Sequence, residues 1–290
     1  MTSRAVVNAI ENRIPSVKVG HAGTLDPLAT GVLILGLGQA TRLLEYVQRM
    51  PKTYVATFLF GQSSDTDDIE GEVVSLEDSP VPSHGMIERC LPEFEGSILQ
   101  LPPKYSAIKI RGRRAYEMAR RGEAVDLEPR EVTIHSLQIL RYAYPEIEVK
   151  IICSRGTYVR ALGRDLAQRL NTSAVMSQLC RTAIGTFDHD KSASLESIAP
   201  DTVARYLLPP QSGLEQIHCF HLTQPQAVEL SHGRTLDLDF PEKKSHIPEE
   251  SYGLYQGRLI AVLKRQTGTT WAPHKVFSPP NTTTTTDGKA

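Results

Sequence analysis

Between Val19 and Leu33 the chain reads Val-Gly-His-Ala-Gly-Thr-Leu-Asp-Pro-Leu-Ala-Thr-Gly-Val-Leu, and this stretch has little conformational freedom. Pro27 supplies no N–H and biases Asp26 away from the helical region, so Asp26 belongs to a turn or an extended segment. Gly23 and Gly31 flank it at positions suited to a sharp bend or to the close approach of another backbone. An apolar run then continues through Leu37. One carboxylate is thus fixed at a bend beside a segment that must be buried. On these residues alone, an ordinary Asp-Pro turn ahead of a buried strand explains the pattern equally well.

At 290 residues the chain is long enough for one large domain and a small one. No apolar run reaches the length of a membrane span, and the first residues lack the basic-then-apolar order of a signal peptide. Cys90, Cys153, Cys180 and Cys219 are scattered without a C-x-x-C pair, which predicts reduced thiols in a cytoplasmic protein rather than a metal site or disulfides. A net charge of −1 gives no global signal for nucleic acid, so binding to RNA requires a local cluster of cations. Lys104, Lys109, Arg111, Arg113, Arg114, Arg120 and Arg121 supply one, with Glu117 as the single acid between residues 104 and 121. Such a run is usually a solvated face. Here Tyr105 and Tyr116 interleave with the cations, the pairing that lets phosphates and unstacked bases be held together.

The remaining pattern predicts elements in order. Residues 3–14 read as a helix with Ser3 as N-cap, and Thr41–Met50 as a second helix stopped by Pro51. Lys52–Phe60 alternates as a strand, with Tyr54, Ala56, Phe58 and Phe60 on one side. Ser63–Gly71 carries four acids but lacks the order of a calcium loop, so a solvated turn is expected there, with no metal and no cofactor. Val132–Tyr142 and Glu146–Cys153 read as strands. Thr157 is placed to cap a helix burying Val159, Leu162, Leu166 and Leu170, with Tyr158 and Arg160 in its first turn. Leu195–Leu208 looks helical, and Pro209–Gly213 reads as a linker. Beyond it, 214–279 reads as a small, mainly β unit with a short helix at Gln224–Ser231 ending at Gly233; 280–290 reads as a disordered tail.

The Asp26 stretch closely resembles the catalytic loop of the TruB family of bacterial tRNA pseudouridine-55 synthases, G-H-x-G-x-L-D-P-x-A-x-G-x-L, through His21, Gly23, Leu25, Asp26, Pro27, Ala29 and Gly31. Four further segments resemble that family in the same order: Lys52-Thr53-Tyr54, the Pro102-to-Ala107 segment, Gly156-Thr157-Tyr158-Val159-Arg160, and Leu179 through Phe187. Cys180 stands where the family's usual first arginine of L-R-R-T would be. Relatives carry a short strand and a D-K-P-x-G segment ahead of the Thr-Ser seen here as Thr2-Ser3, and this chain begins where that segment would end.

The resemblance implies a mixed α/β (α+β) fold: a catalytic domain over 1–210 on a largely antiparallel sheet, and a small C-terminal domain similar to the family's RNA-binding one. It implies isomerisation of uridine 55 in the T loop of tRNA. Asp26 would be the catalytic carboxylate, ion-paired with Arg160. Tyr54 and Leu179 would sandwich the uracil, Tyr54 would also help remove the C5 proton, and His21 and Tyr158 would contact the substrate. The basic stretch would grip the T-arm as a mobile loop. No guide RNA, membrane or obligate protein partner is expected. The competing expectations are a non-catalytic tRNA-binding module, separated by whether bound tRNA gains pseudouridine, and a guide-dependent relative, separated by whether the chain acts alone.

Overall fold

The computed structural model describes residues 1–106, 108–110, 112–240 and 248–277, with the backbone only at Lys109. The elements that position the site are helices α1 (Ser3–Arg13), α2 (Leu44–Arg49), α3 (His84–Cys90), α4 (Ala115–Arg120), α5 (Val159–Arg169) and α6 (Gln224–Ser231). A sheet of seven strands uses β1 (Thr30–Gly31), β2 (Lys52–Phe60), β3 (Gly96–Gln100), β4 (Arg130–Ala143), β5 (Glu146–Cys153), β6 (Ala174–Ile184) and β7 (Phe187–Asp188). Its order is β7-β6-β2-β5-β4-β3, antiparallel throughout, with β1 joined to β6 in parallel. The mixed, largely antiparallel architecture is the one expected.

β2 lies at the middle of this sheet because its alternation suits a core. Ala56, Phe58 and Phe60 are buried with Ile147, Val149 and Ile151 of β5 and Met176 and Leu179 of β6. α5 packs on the same face through Val159, Leu162 and Leu166. Gly163 permits the contact: a Cβ built there would stand 2.0 Å from Phe58 Cε1. The rings and aliphatic chains around Phe58 fill that space at crystal-like density, so it has nowhere to move.

A second sheet of five strands, β8 (His218–His221), β9 (Leu236–Asp237), β10 (Glu250–Tyr255), β11 (Arg258–Thr267) and β12 (Thr270–Val276), has the order β8-β10-β11-β12-β9. It buries Trp271, Leu263 and Ala261 against α6 residues Ala227 and Leu230. The chain divides into two compact units, and the second takes in Glu11–Gly20 and Leu35–Val47 as well as the described residues from Ile198 on. A single boundary near residue 210 therefore needs correction. Leu43 and Tyr46 share a core with Leu214, Tyr252, Leu259 and Val262, an apolar partnership that periodicity within one segment cannot reveal.

Several local expectations also change. Thr2, not Ser3, caps α1: its Oγ1 accepts from Ala5 N at 3.1 Å. The segment from Gly38 opens as a 3-10 helix to Leu43 before α2. Leu195–Leu208 forms two short 3-10 turns, Leu195–Ser197 and Val203–Tyr206, since Pro200 interrupts any continuous helix, and the proposed linker is itself a 3-10 turn at Pro210–Leu214. The expected tail at 280–290 lies outside the described residues.

Replacing Gly163 by Ala is expected to destabilise the first unit by about 1–3 kcal/mol through overpacking against Phe58. A urea unfolding midpoint unchanged from wild type would show that the helix and sheet are not in close contact there.

Candidate functional site

The Asp26 loop is held at both limbs. Ala22 N donates to Ile34 O at 2.9 Å and Val32 N to Arg181 O at 2.8 Å. Ser3 Oγ accepts from Leu25 N at 2.9 Å, and Ala29 N donates to Asp26 O at 2.9 Å, closing the turn that Pro27 begins. The guanidinium of Arg181, 1% exposed, donates to Val32 O at 2.8 Å and to Gly23 O at 3.2 Å. Gly31 has φ +98°, and a Cβ there would lie 2.2 Å from Arg181 O. The parallel pairing of β1 with Cys180 and Arg181 needs that glycine.

Arg160 reaches the loop from the first turn of α5. Its Nε donates to Asp26 Oδ2 at 2.9 Å. Its Nη1 donates to Thr66 O at 2.8 Å and lies 3.2 Å from Asp68 Oδ2, while Nη2 donates to Tyr105 O at 3.2 Å. The Arg160 and Asp68 side chains are 6% and 3% exposed, against 34% for Asp26. Asp68 is fully occupied, because Oδ1 also accepts from Thr66 Oγ1 at 2.6 Å and Glu70 N at 3.0 Å. Asp26 keeps Oδ1 free of hydrogen bonds among the described residues.

One turn along α5, Arg164 donates to Asp67 Oδ2 at 2.9 Å, Leu101 O at 2.8 Å and Asp165 Oδ1 at 2.9 Å. Burial pushes the carboxyl of Asp67 up, and the Arg164 and Arg160 cations pull it back. The acidic segment is therefore not the solvated turn expected. Asp67 and Asp68 face two arginines spaced i, i+4 on one helix, a spacing visible in sequence but without a visible partner. The cap expected from Thr157 is also absent, its Oγ1 donating instead to Ser154 O at 3.1 Å. Gln100, 1% exposed, takes that place: it accepts from Tyr158 N at 2.8 Å and donates to Tyr158 O at 3.0 Å.

Asp26 and Arg160 line a cavity of about 1260 Å³ together with His21, Tyr105, Tyr116, Arg114 and Arg120. Burial lowers the pKa of His21 from its ordinary value, a backbone bond at Gly23 opposes that, and Arg181 and Arg4 add to it. His21 Nδ1 is buried with no hydrogen-bond partner among the described residues. The basic stretch forms a short hairpin, Lys109–Ile110 with Arg113–Arg114, followed by α4. Arg120 stands over the Tyr116 ring, 5.7 Å from its centroid. Arg113 is forked onto Glu123 at 2.8 and 2.7 Å, and Lys104 and Arg121 are exposed outside the cavity wall. Arg111 and the Lys109 side chain lie outside the described residues.

Tyr54, Tyr158 and Leu179 are not in the cavity wall. Leu179 is buried, and Leu28, Ala29 and Tyr54 pack against its core cluster. Burial raises the Tyr54 hydroxyl; Arg181 opposes that rise, and Asp26 is near enough to add to it. The structure thus gathers Asp26, Arg160 and His21 with Arg114 and Arg120 of the basic stretch, and sets Tyr54 and Leu179 in the packing beside them.

Gly31→Ala is expected to cost about 1–3 kcal/mol, from a residue forced to positive φ and from the contact with Arg181 O. Thermal unfolding measures it; an unchanged midpoint would show that β1 is not seated on β6.

A family model described as "TruB family pseudouridylate synthase (N terminal domain)" matches residues 11–159. The chain is 36% identical over 283 residues to tRNA pseudouridine synthase B of Dehalococcoides mccartyi (strain BAV1), covering 96% of this chain and 93% of that protein. It is 38% identical to the protein of the same name from Arthrobacter sp. (strain FB24), covering 97% and 94%. Among solved structures, a Cbf5-Nop10-Gar1 complex contains a chain similar in fold at TM-score 0.73 and 23% identity, over 96% of this chain and 82% of that one.

Proposed function

We propose that this chain, which belongs to the TruB family of pseudouridylate synthases, isomerises uridine 55 in the T loop of tRNA to pseudouridine at Asp26. The reaction breaks the N1–C1′ bond, turns the uracil, joins C5 to C1′, and moves a proton from C5 to N1. Nothing is oxidised or reduced, and an ionised carboxylate beside the sugar and base is sufficient to begin it. The carrying observation is the asymmetry at Asp26: Oδ2 is bound by Arg160 at 2.9 Å while Oδ1 is left to a cavity of about 1260 Å³. Such a space takes a nucleotide that has left its stack, which is the geometry chemistry on a base requires.

The other residues follow from position. Tyr54 and Leu179 would form the apolar faces of the uracil slot, and Tyr54 would take the C5 proton. His21 and Tyr158 would contact the flipped nucleotide. Arg114 and Arg120 would meet T-arm phosphates, with Tyr105 and Tyr116 stacking on bases. Lys104, Arg121 and, once freed from Glu123, Arg113 would extend that footprint. The chain would act on tRNA alone, without guide RNA or protein partner, in the cytoplasm where tRNA is found. Among the described residues no helix is long and apolar enough to cross a membrane.

Incubating the purified chain with unmodified tRNA and mapping pseudouridine tests this. Asp26→Asn is expected to lower single-turnover formation by at least about 10³-fold, with tRNA affinity within a few-fold of wild type. Retained turnover would refute the assignment. Replacing Arg114 and Arg120 together by Ala is expected to weaken tRNA binding and reduce the slope of log K against log salt by about one to two. An unaltered slope removes both from the phosphate contacts.

A further inference from the structure

A buried arginine ordinarily faces a carboxylate, since an unpaired cation away from water is expensive. Arg181 is 1% exposed and has no ion pair among the described residues. Its guanidinium instead spans two carbonyls on opposite limbs of one loop, Gly23 O and Val32 O. Its own carbonyl accepts from Val32 N at 2.8 Å, so backbone and side chain grip the same limb. In the antiparallel register of β6 with β2, Arg181 stands directly opposite Tyr54. Residues so paired have Cβ atoms about 4.5–5.5 Å apart on one face of a sheet.

We infer that Arg181 is a positioning residue that ties both limbs of the Asp26 loop to Tyr54, so that the carboxylate and the tyrosine hydroxyl are presented to the substrate as one rigid unit. The inference rests on the isomerase assignment above. The fork is what makes this residue specific: a planar guanidinium can bond two carbonyls and still present an N–H edge to a hydroxyl, whereas an ammonium on a flexible stem is a point charge. Displacements of about 1 Å at a reacting group cost about 10²-fold in rate, so slack in a loop clamped at both ends should appear in turnover. The cation beside Tyr54 also counters the effect of burial on the phenol, in keeping with the same placement.

Arg181→Lys and Arg181→Gln, each in the full chain, test the inference against wild type. Arg181→Lys is expected to lower the single-turnover rate at saturating tRNA by about 10²-fold, with tRNA Kd within about threefold. The Tyr54 hydroxyl, followed by NMR of ring-labelled tyrosine and assigned with Tyr54→Phe, is expected to titrate at higher pH in Arg181→Gln and near wild type in Arg181→Lys. This readout needs no turnover and reports whether the guanidinium stands beside the Tyr54 hydroxyl. If Arg181→Gln does not fold, the rate of Arg181→Lys decides. An Arg181→Lys enzyme as fast as wild type, or an unmoved Tyr54 titration in a folded Arg181→Gln, overturns the inference. A wild-type chain that makes no pseudouridine overturns the isomerase assignment instead, so the two failures are distinct.

Discussion

One guanidinium joins three segments that are far apart in the chain. Arg160 binds Asp26 of the loop, Thr66 and Asp68 of the acidic turn, and Tyr105 at the edge of the basic stretch. A cation this deeply buried is stable only while its acceptors stay in place, because removing one leaves charge without solvent or partner. The three segments therefore hold a common geometry or lose it together. The two carboxylates at this cation are not equivalent. Asp68 is enclosed and has its oxygens committed to Arg160, Thr66 and Glu70, whereas Asp26 is about one third exposed and half committed. That difference in environment leaves Asp26, and not Asp68, with a carboxylate oxygen uncommitted among the described residues.

The sheet explains why an apolar surface and a polar clamp stand side by side. Leu179 and Arg181 lie two apart on β6, so both side chains project to one face, opposite Ala56 and Tyr54 of β2. Leu179 supplies an apolar surface, and Arg181 secures the loop that crosses above the strand ends through Thr30 and Gly31. Strand alternation does here what a helix achieves with i, i+4 spacing at Arg160 and Arg164. In both cases regular geometry fixes which residues converge, and the loops adapt to it.

The sequence was most legible where one residue's constraint is local. Pro27 and Gly31 announced the bend, and the alternation of Lys52–Phe60 announced a core strand. The pairing of Asp26 with Arg160 came from the ordered resemblance, since nothing in composition joins residues 134 positions apart. What stayed hidden depends on partners. Asp67 and Asp68 read as solvent-facing because acids in a turn usually are, and only the folded helix brings Arg160 and Arg164 to them. Gln100 gave no signal, being a lone amide at the end of an edge strand, yet it satisfies the backbone at the start of α5. Arg181 was passed over for the same reason: its acceptors are carbonyls, which every residue carries.

Charge is where counting residues misleads most. The seven cations between residues 104 and 121 suggest a uniform phosphate-binding strip. In the folded chain Arg113 is forked onto Glu123, while Arg114 and Arg120 reach the cavity that Asp26 lines. The Arg113–Glu123 pair is exposed, so solvent and salt screen it. Arg160 is different, because one of its carboxylates, Asp68, is buried and bound by further donors. The same residue type thus serves as internal strut on α5 and as one half of an exposed ion pair near α4. Burial decides between the two, and burial is a property of the fold.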